Sequence, residues 1–414
     1  MRDFSYFCTM AGIYIHIPFC KSKCAYCGFY SLPSFKLKDR FLEALKKEIA
    51  MRKDYLNGEA INTIYFGGGT PSLLSINEIG ELLHLINDAY SIGKKPEITL
   101  EANPDTLLLE YLEGLRQLGV NRLSIGIQSF FDNDLKYLSR RHDSQHALQC
   151  INWAKHAGFS NISIDLIYGL PTSNAEQWNR NLDLFFALDL PHLSAYALTL
   201  EPNAILTKQI ELGKVLPVNE EDALRDYEIL CKRAIEKGYL HYEISNFCRP
   251  GMHSKHNASY WFGTPYIGFG PSAHSFDGAS RQWNISSVER YCEVFSAASR
   301  HCEERSNPEK EACSLDCFVP RNDAKRVQEP VSENERLTPE QQYNEYVMLR
   351  LRTHWGIDLK WLKREMGERF SSYCEQHAQP LIAQDRLSQT REFLYLTDKQ
   401  MLFADGVAEE LFWE

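Results

Sequence analysis

Cys20, Cys24 and Cys27 place three thiols within eight residues. Thiolates are the ligands of iron–sulfur clusters, and a four-iron cube takes one on each iron. Three cysteines from one loop leave one iron without a protein ligand, and an open metal position is what chemistry needs. A zinc knot is the competing reading, with His16 as a fourth ligand, but the C-x3-C spacing is unusual for zinc. Of the twelve cysteines, Cys302, Cys313 and Cys317 form a rival triplet with its own C-x3-C pair. They lie in a polar stretch with no strand to aim them, and they are expected to be inert. Cys8, Cys150, Cys231, Cys248, Cys292 and Cys374 read as buried or incidental thiols.

The rest of the composition narrows the function further. The 414 residues carry 45 Lys and Arg against 55 Asp and Glu, a formal net charge of −10. No basic excess exists to displace counterions from phosphates, which argues against a nucleic-acid binder. No apolar run approaches the roughly 20 residues that span a bilayer. The N-terminus lacks the pattern of a secretory signal, so the expected location is the cytoplasm. Met10 is an alternative start, with residues 1–10 an appendage.

Positioning such residues requires a scaffold, and the first half of the chain supplies one. Six β-type runs alternate with helical stretches: Gly12–Ile17, Ile61–Phe66, Glu97–Ala102, Asn121–Ile127, Asn161–Ile167 and His192–Ala197. Strands separated by helical crossovers give a parallel sheet in an α/β fold. The unusual clusters follow the strands: the cysteine loop, Gly67-Gly68-Gly69-Thr70, Glu101 and Asn103, Gln128 and Ser129, then Gly169-Leu170-Pro171. In a parallel barrel these strand ends share one rim. The expected fold is a partial (β/α)6 TIM-like barrel over residues 11–245. A connecting segment follows over 246–297, and residues 239–275 have no clear period. Residues 298–334 read as a low-order insertion, and 335–414 as a small, mostly helical C-terminal domain.

The stretch Tyr14-Ile-His-Ile-Pro-Phe-Cys20-x3-Cys24-x-Tyr26-Cys27-x-Phe29 resembles the signature of the radical S-adenosylmethionine (SAM) superfamily. Collinear matches continue through the Gly67–Ser72 turn, Glu101-Ala-Asn103-Pro104, Leu123–Ser129, Asp165–Pro171 and Tyr242–Phe247. Within the superfamily the sequence is similar to the oxygen-independent coproporphyrinogen oxidase-like group. The resemblance implies a [4Fe-4S] cluster on Cys20, Cys24 and Cys27 and a SAM pocket lined by Tyr14, Tyr26, Gly68, Gly69, Thr70, Glu101, Gln128, Arg140 and Asp165. The open iron would chelate the amino and carboxylate groups of SAM, and an electron from the cluster would break a carbon–sulfur bond.

Two subfamilies share these motifs. One is the oxidase, which decarboxylates a porphyrinogen in porphyrin biosynthesis. The other is the HemW-type heme chaperone. Three features favour the chaperone. The oxidase pattern carries a cysteine two positions after the third, where this chain has Phe29. The oxidase has a long extension before the first strand. The run His256-Asn257-Ala-Ser-Tyr260-Trp261 matches the heme-associated HNxxYW motif of the chaperone group. A His ligates iron, and Tyr and Trp offer stacking area. His253 and His274 are weaker candidates. The resemblance implies heme as a third ligand and respiratory proteins as heme acceptors. It also implies an electron donor, and peripheral membrane association through the recipient. Two features depart from the family: Glu201-Pro202-Asn203-Ala204-Ile205 has no Thr where one is usual, and the 298–334 insertion is not a family feature.

Overall fold

The computed structural model describes residues 11–202, 204–295 and 331–414. Strands β1 (Ala11–Ile17), β2 (Ile61–Gly68), β3 (Ile92–Ala102), β4 (Arg122–Gln128), β5 (Asn161–Tyr168) and β6 (His192–Ala197) pair in sequential order, every pair parallel. Helices α1 (Lys38–Met51), α2 (Ile76–Ala89), α3 (Leu109–Gln117), α4 (Asp132–Tyr137), α5 (Ser144–His156) and α6 (Ala175–Ala187) connect them. Local chemistry sets their starts. Ser75 and Glu78 form a reciprocal capping box on α2, and Asp143 and Asn174 accept backbone N–H bonds at the starts of α5 and α6.

Alternation divides the strand residues between two environments. Ile13, Ile15 and Ile17 of β1 join Phe41, Leu45 and Ile49 of α1 in the main apolar core. The residues between them, Gly12, Tyr14 and His16, face inward, where the neighbours are polar: Thr63 and Tyr65, Glu101, Ser124, Asp165 and His192. This inner face is the functional one.

The parallel series does not close on itself. After helices α7 (Ile205–Glu211) and α8 (Glu220–Glu236), strand β8 (Asn246–Cys248) adds antiparallel to β6, and β7 (Leu240–Glu243) pairs antiparallel with β8 at the sheet edge. Helix α9 (Lys255–Trp261) then leads to β9 (Tyr266–Phe269), a seventh parallel strand on the open side of β1. Strands β10 (His274–Phe276), β11 (Ser280–Asn284) and β12 (Val331–Arg336) extend that edge. The 239–275 segment is therefore regular, although no period was legible there. Its strands are three or four residues long, too short for one to register. Residues 331–334, read as part of the insertion, begin an edge strand. Strand β3 starts five residues before its expected Glu97 because the pairing shifts between Ile61↔Ile92 and Thr63↔Glu97, leaving Lys94, Lys95 and Pro96 as a bulge.

The C-terminal region is mostly helical: α10 (Pro339–Leu351), α11 (Leu359–Met366), α12 (Glu368–Ala383) and α13 (Ala404–Glu409). They pack around a core of their own with a small sheet in the order β13 (Ile357–Asp358), β15 (Phe393–Tyr395), β14 (Ser388–Gln389). Among the described residues no helix is long and apolar enough to cross a membrane.

Candidate cluster and cofactor site

The cysteine loop follows β1 at the rim. Cys20, Cys24 and Cys27 are free thiols, each half-buried. Main-chain bonds hold the loop: Cys20 N to Leu32 O at 3.1 Å, Ala25 N to Leu138 O at 3.3 Å, and Leu206 N to Ala25 O at 2.8 Å. Two sulfurs have polar neighbours. Thr70 Oγ1 lies 3.5 Å from Cys20 Sγ, and Arg140 Nη1 lies 3.3 Å from Cys24 Sγ. Burial pushes the Cys27 thiol up; the Phe29 backbone N–H opposes this and the neighbouring Cys24 and Cys20 add to it. His16 is no partner for a zinc ion in this arrangement. Its Nε2 bonds the Tyr30 carbonyl at 3.0 Å, which can only accept, so Nδ1 is the acceptor of the Tyr14 hydroxyl at 3.1 Å.

The glycine turn lies against this loop. Gly68 has φ +105°, a left-handed conformation that favours glycine. At Gly69 a Cβ would stand 2.6 Å from Phe19 O and 2.9 Å from Ile17 O, so any side chain would force the two backbones apart. Glu101 reaches back from β3 to this turn, accepting from Gly68 N at 3.1 Å and Tyr65 Oη at 2.8 Å. Asn103 donates to Thr70 Oγ1 at 3.0 Å and accepts from Arg140 Nη2 at 2.6 Å; Arg140 also donates to Gly126 O at 2.7 Å. Thr70, Asn103, Arg140 and Cys24 border a polar cavity of about 20 Å³, water-sized by volume. Gln128 ends β4 at φ +69°, where the β4–β5 register also breaks. Asp165 Oδ1 accepts from Ser124 Oγ at 3.4 Å.

Two carboxylates thus share one recess. Burial raises Glu101 to about 7, opposed by the Tyr65 and Gly68 hydrogen bonds and reinforced by Asp165. Burial raises Asp165 to about 6, opposed by Arg122, Ser124 and Ser194. Both have raised proton affinity near neutral pH, which suits a pocket that takes up a cationic or hydroxyl-rich ligand.

The HNxxYW residues lie deeper, on α9. His256 is 1% exposed. Its Nδ1 meets Thr63 Oγ1 at 2.8 Å and its Nε2 meets Tyr260 Oη at 2.8 Å. The ring stacks on Tyr65 at 4.9 Å, and Tyr65 in turn on Tyr14 at 6.1 Å. Burial holds its conjugate acid down at about 3, so it is a neutral imidazole with both nitrogens engaged. Asn257 and Trp261 are half-buried. His253 packs on Tyr242 and Trp355, and His274 on Trp283, so the three histidines stand in separate places. The structure brings the cysteines, the glycine turn, Tyr14, Tyr26, Glu101, Gln128, Arg140 and Asp165 to one rim and recess. Thr63, Tyr65 and Arg122 belong to the same interior and were missed. Their inward placement follows from strand alternation, and no motif marks them.

Residues 14–185 match the radical SAM superfamily, and residues 337–403 match the HemN C-terminal domain. The chain is 30% identical over 404 residues to the heme chaperone HemW of Mycobacterium tuberculosis, covering 97% of this chain and 94% of that one. With the Bacillus subtilis heme chaperone HemW the identity is 31%, over 96% of this chain and 98% of that one. The chain belongs to the HemW family of radical SAM proteins. A solved structure of the coproporphyrinogen III oxidase HemN from Escherichia coli superposes with a TM-score of 0.78 at 22% identity, covering 99% of this chain and 91% of that one. That likeness establishes the radical SAM fold.

HemW-family membership implies a [4Fe-4S] cluster and SAM, and the residues present fit both. The donor set at the rim is three thiols from one loop, which suits an iron–sulfur cluster with one iron left open. The second triplet, Cys302, Cys313 and Cys317, lies outside the described residues.

Proposed function

We propose that this chain is a heme chaperone that holds a [4Fe-4S] cluster and SAM at the barrel rim and carries heme to acceptor proteins. The observation that carries this reading is the alignment with heme chaperones over nearly their whole length, C-terminal region included. A second feature supports it: Phe29, where the oxidase pattern has a cysteine, is 70% exposed beside the cluster loop.

In this reading Cys20, Cys24 and Cys27 ligate three irons. The cluster, when bound, supplies an electron for reductive cleavage of a carbon–sulfur bond in SAM. The chain's own residues orient and screen. Arg140 lies against Cys24 and offsets thiolate charge, and the Thr70 hydroxyl does the same at Cys20. Gly68 and Gly69 allow main-chain approach to the methionine end of SAM. Glu101, Gln128 and Asp165 offer acceptors for its amino group and ribose hydroxyls, with Tyr14 and Tyr26 alongside. His256, Asn257, Tyr260 and Trp261 are proposed heme contacts. Ligation of iron by His256 requires Nε2 to exchange the Tyr260 hydroxyl for the metal, because no lone pair is open otherwise.

Respiratory heme proteins are the proposed acceptors, with a separate electron donor, peripheral membrane association through the recipient, and no nucleic acid. The cytoplasm is the proposed location, supported by eight free cysteines among the described residues. The test uses anaerobically reconstituted protein, titrated with heme and assayed with coproporphyrinogen and SAM. A stoichiometric heme spectrum without decarboxylation is expected. Rapid decarboxylation with SAM consumption overturns the reading in favour of an oxidase.

A further inference from the structure

Arg122 is the first residue of β4 and is 1% exposed. Its Nε and Nη1 are sealed from solvent, and neither has a hydrogen-bond partner. A guanidinium is charged at every physiological pH. Withdrawing one from water costs several kcal/mol unless nearby charge offsets it, so an under-bonded buried one needs an explanation. Packing does not supply it, since an aliphatic residue would fill the position without that penalty.

The barrel interior does supply one. Arg122 pairs in register with Thr99 on β3 and Asn161 on β5. Two residues further along β4, at about 3.3 Å per residue, Ser124 lies opposite Glu101 and bonds Asp165. An arginine side chain is long enough to span that rise. Its charge reaches both carboxylates, opposing the protonation of each. It also reaches Tyr65 on β2, His192 on β6, Tyr242 on β7, Cys248 on β8 and His256 on α9. His192 and His256 are held neutral by burial and supply no positive charge.

The other titratable groups facing the carboxylates are the phenols of Tyr14, Tyr65, Tyr260 and Tyr26, pushed up by burial, and that of the exposed Tyr196, and all are neutral. Arg140 faces Asp165 from the rim but is bonded to Cys24 and Asn103. Arg122 thus supplies both carboxylates with a positive charge from below, and SAM brings a sulfonium cation. Without the guanidinium the mutual repulsion of the carboxylates is unopposed from below, and both hold protons more tightly.

We propose that Arg122 is a positioning residue for the cofactor: from the floor of the barrel, without touching SAM, it biases Glu101 and Asp165 toward the ionised forms that receive it. The inference rests on the reading of those two carboxylates as SAM contacts.

The test measures SAM affinity by equilibrium dialysis on the anaerobically reconstituted full chain. Arg122→Met and Arg122→Lys are compared with the parent at about pH 6.5 and about pH 9. Loss of the charge raises both carboxylate pKa values. Arg122→Met is therefore expected to bind about tenfold more weakly at the lower pH, one pKa unit being a factor of ten. The deficit should shrink to within about twofold at the higher pH, where the carboxylates ionise unaided. Arg122→Lys, which keeps the charge, should stay within about threefold of the parent at both. A deficit equal at both pH values makes Arg122 merely structural and overturns the proposal, as does no deficit at pH 6.5. If Arg122→Met does not fold, Arg122→Gln takes its place. Failure of both neutral variants to fold, while Arg122→Lys folds, also overturns the proposal. Glu101→Gln and Asp165→Asn separate the two readings: if both bind SAM as the parent does, the assignment of the pocket itself fails, whatever Arg122 does.

Discussion

Glu101 accepts two good hydrogen bonds, and burial still holds its pKa at about 7, with Asp165 at about 6 beside it. Both groups take up protons as the pH falls, and a protonated carboxyl grips a cation or a hydroxyl-rich ligand less well. SAM affinity of the parent protein is therefore expected to weaken severalfold from about pH 8 to about pH 5.5, as measured by dialysis. An affinity flat across that range would remove these groups from the pocket. The second residue-scale expectation concerns His256. Tyr260→Phe frees Nε2 and should leave heme binding intact or tighter, whereas His256→Ala should weaken it, both read from a heme absorption titration. Unchanged spectra with His256→Ala would exclude it as a ligand. The cysteine spacing made the cluster loop legible, because the chemistry depends on residues adjacent in sequence. The engagement of both His256 nitrogens was not legible, because Thr63 lies 193 positions away in the chain.

At the scale of elements, the turn after β2 is held by contact between backbones. Gly69→Ala should abolish SAM binding and lower cluster occupancy, since its Cβ would meet two carbonyl oxygens at 2.6 and 2.9 Å; iron counts and dialysis report both. The extension of the sheet beyond β1 depends on Glu48 of α1. This fully buried carboxylate accepts from Gly270 N at 2.9 Å, Asn284 Nδ2 at 2.7 Å, Tyr291 Oη at 2.5 Å and Arg52 Nη1 at 3.0 Å. Glu48→Ala strands those donors and should cost about 3–5 kcal/mol, seen as a lower thermal midpoint. The long helices were readable from their periodicity and caps. β9 was not, because a four-residue strand inserted beside β1 carries no period, and its place is decided by pairing with residues more than 250 positions away.

At the scale of the whole molecule, the C-terminal region meets the barrel through polar and aromatic contacts. His354 N donates to Tyr242 O at 3.0 Å, and Trp355 packs on Tyr242 and Phe262. His241 of β7 approaches Asp398 at 3.3 Å. Burial lowers the His241 pKa, but Asp398, Cys231 and the Ile244 carbonyl outweigh it, bringing it to about 9. A histidine whose folded pKa lies above its unfolded value of about 6.5 contributes stability that is complete below 6.5 and lost as the pH rises through 9. Asp398→Asn should therefore lower the thermal midpoint at about pH 6, with the difference from the parent shrinking by about pH 10. A constant difference would show that the charge pair is not its source.

Order along the chain determined the strand–helix alternation, the cysteine loop and the glycine turn, because each is specified by neighbours within a few positions. The assembly of Tyr14, Glu101, Arg140 and Asp165 around one recess depended on strand register. So did the burial of His256 and the position of Arg122 beneath the carboxylates. Register is set by pairing across the sheet, and inward-facing polar residues from different strands acquire their electrostatic meaning only when that pairing encloses them together.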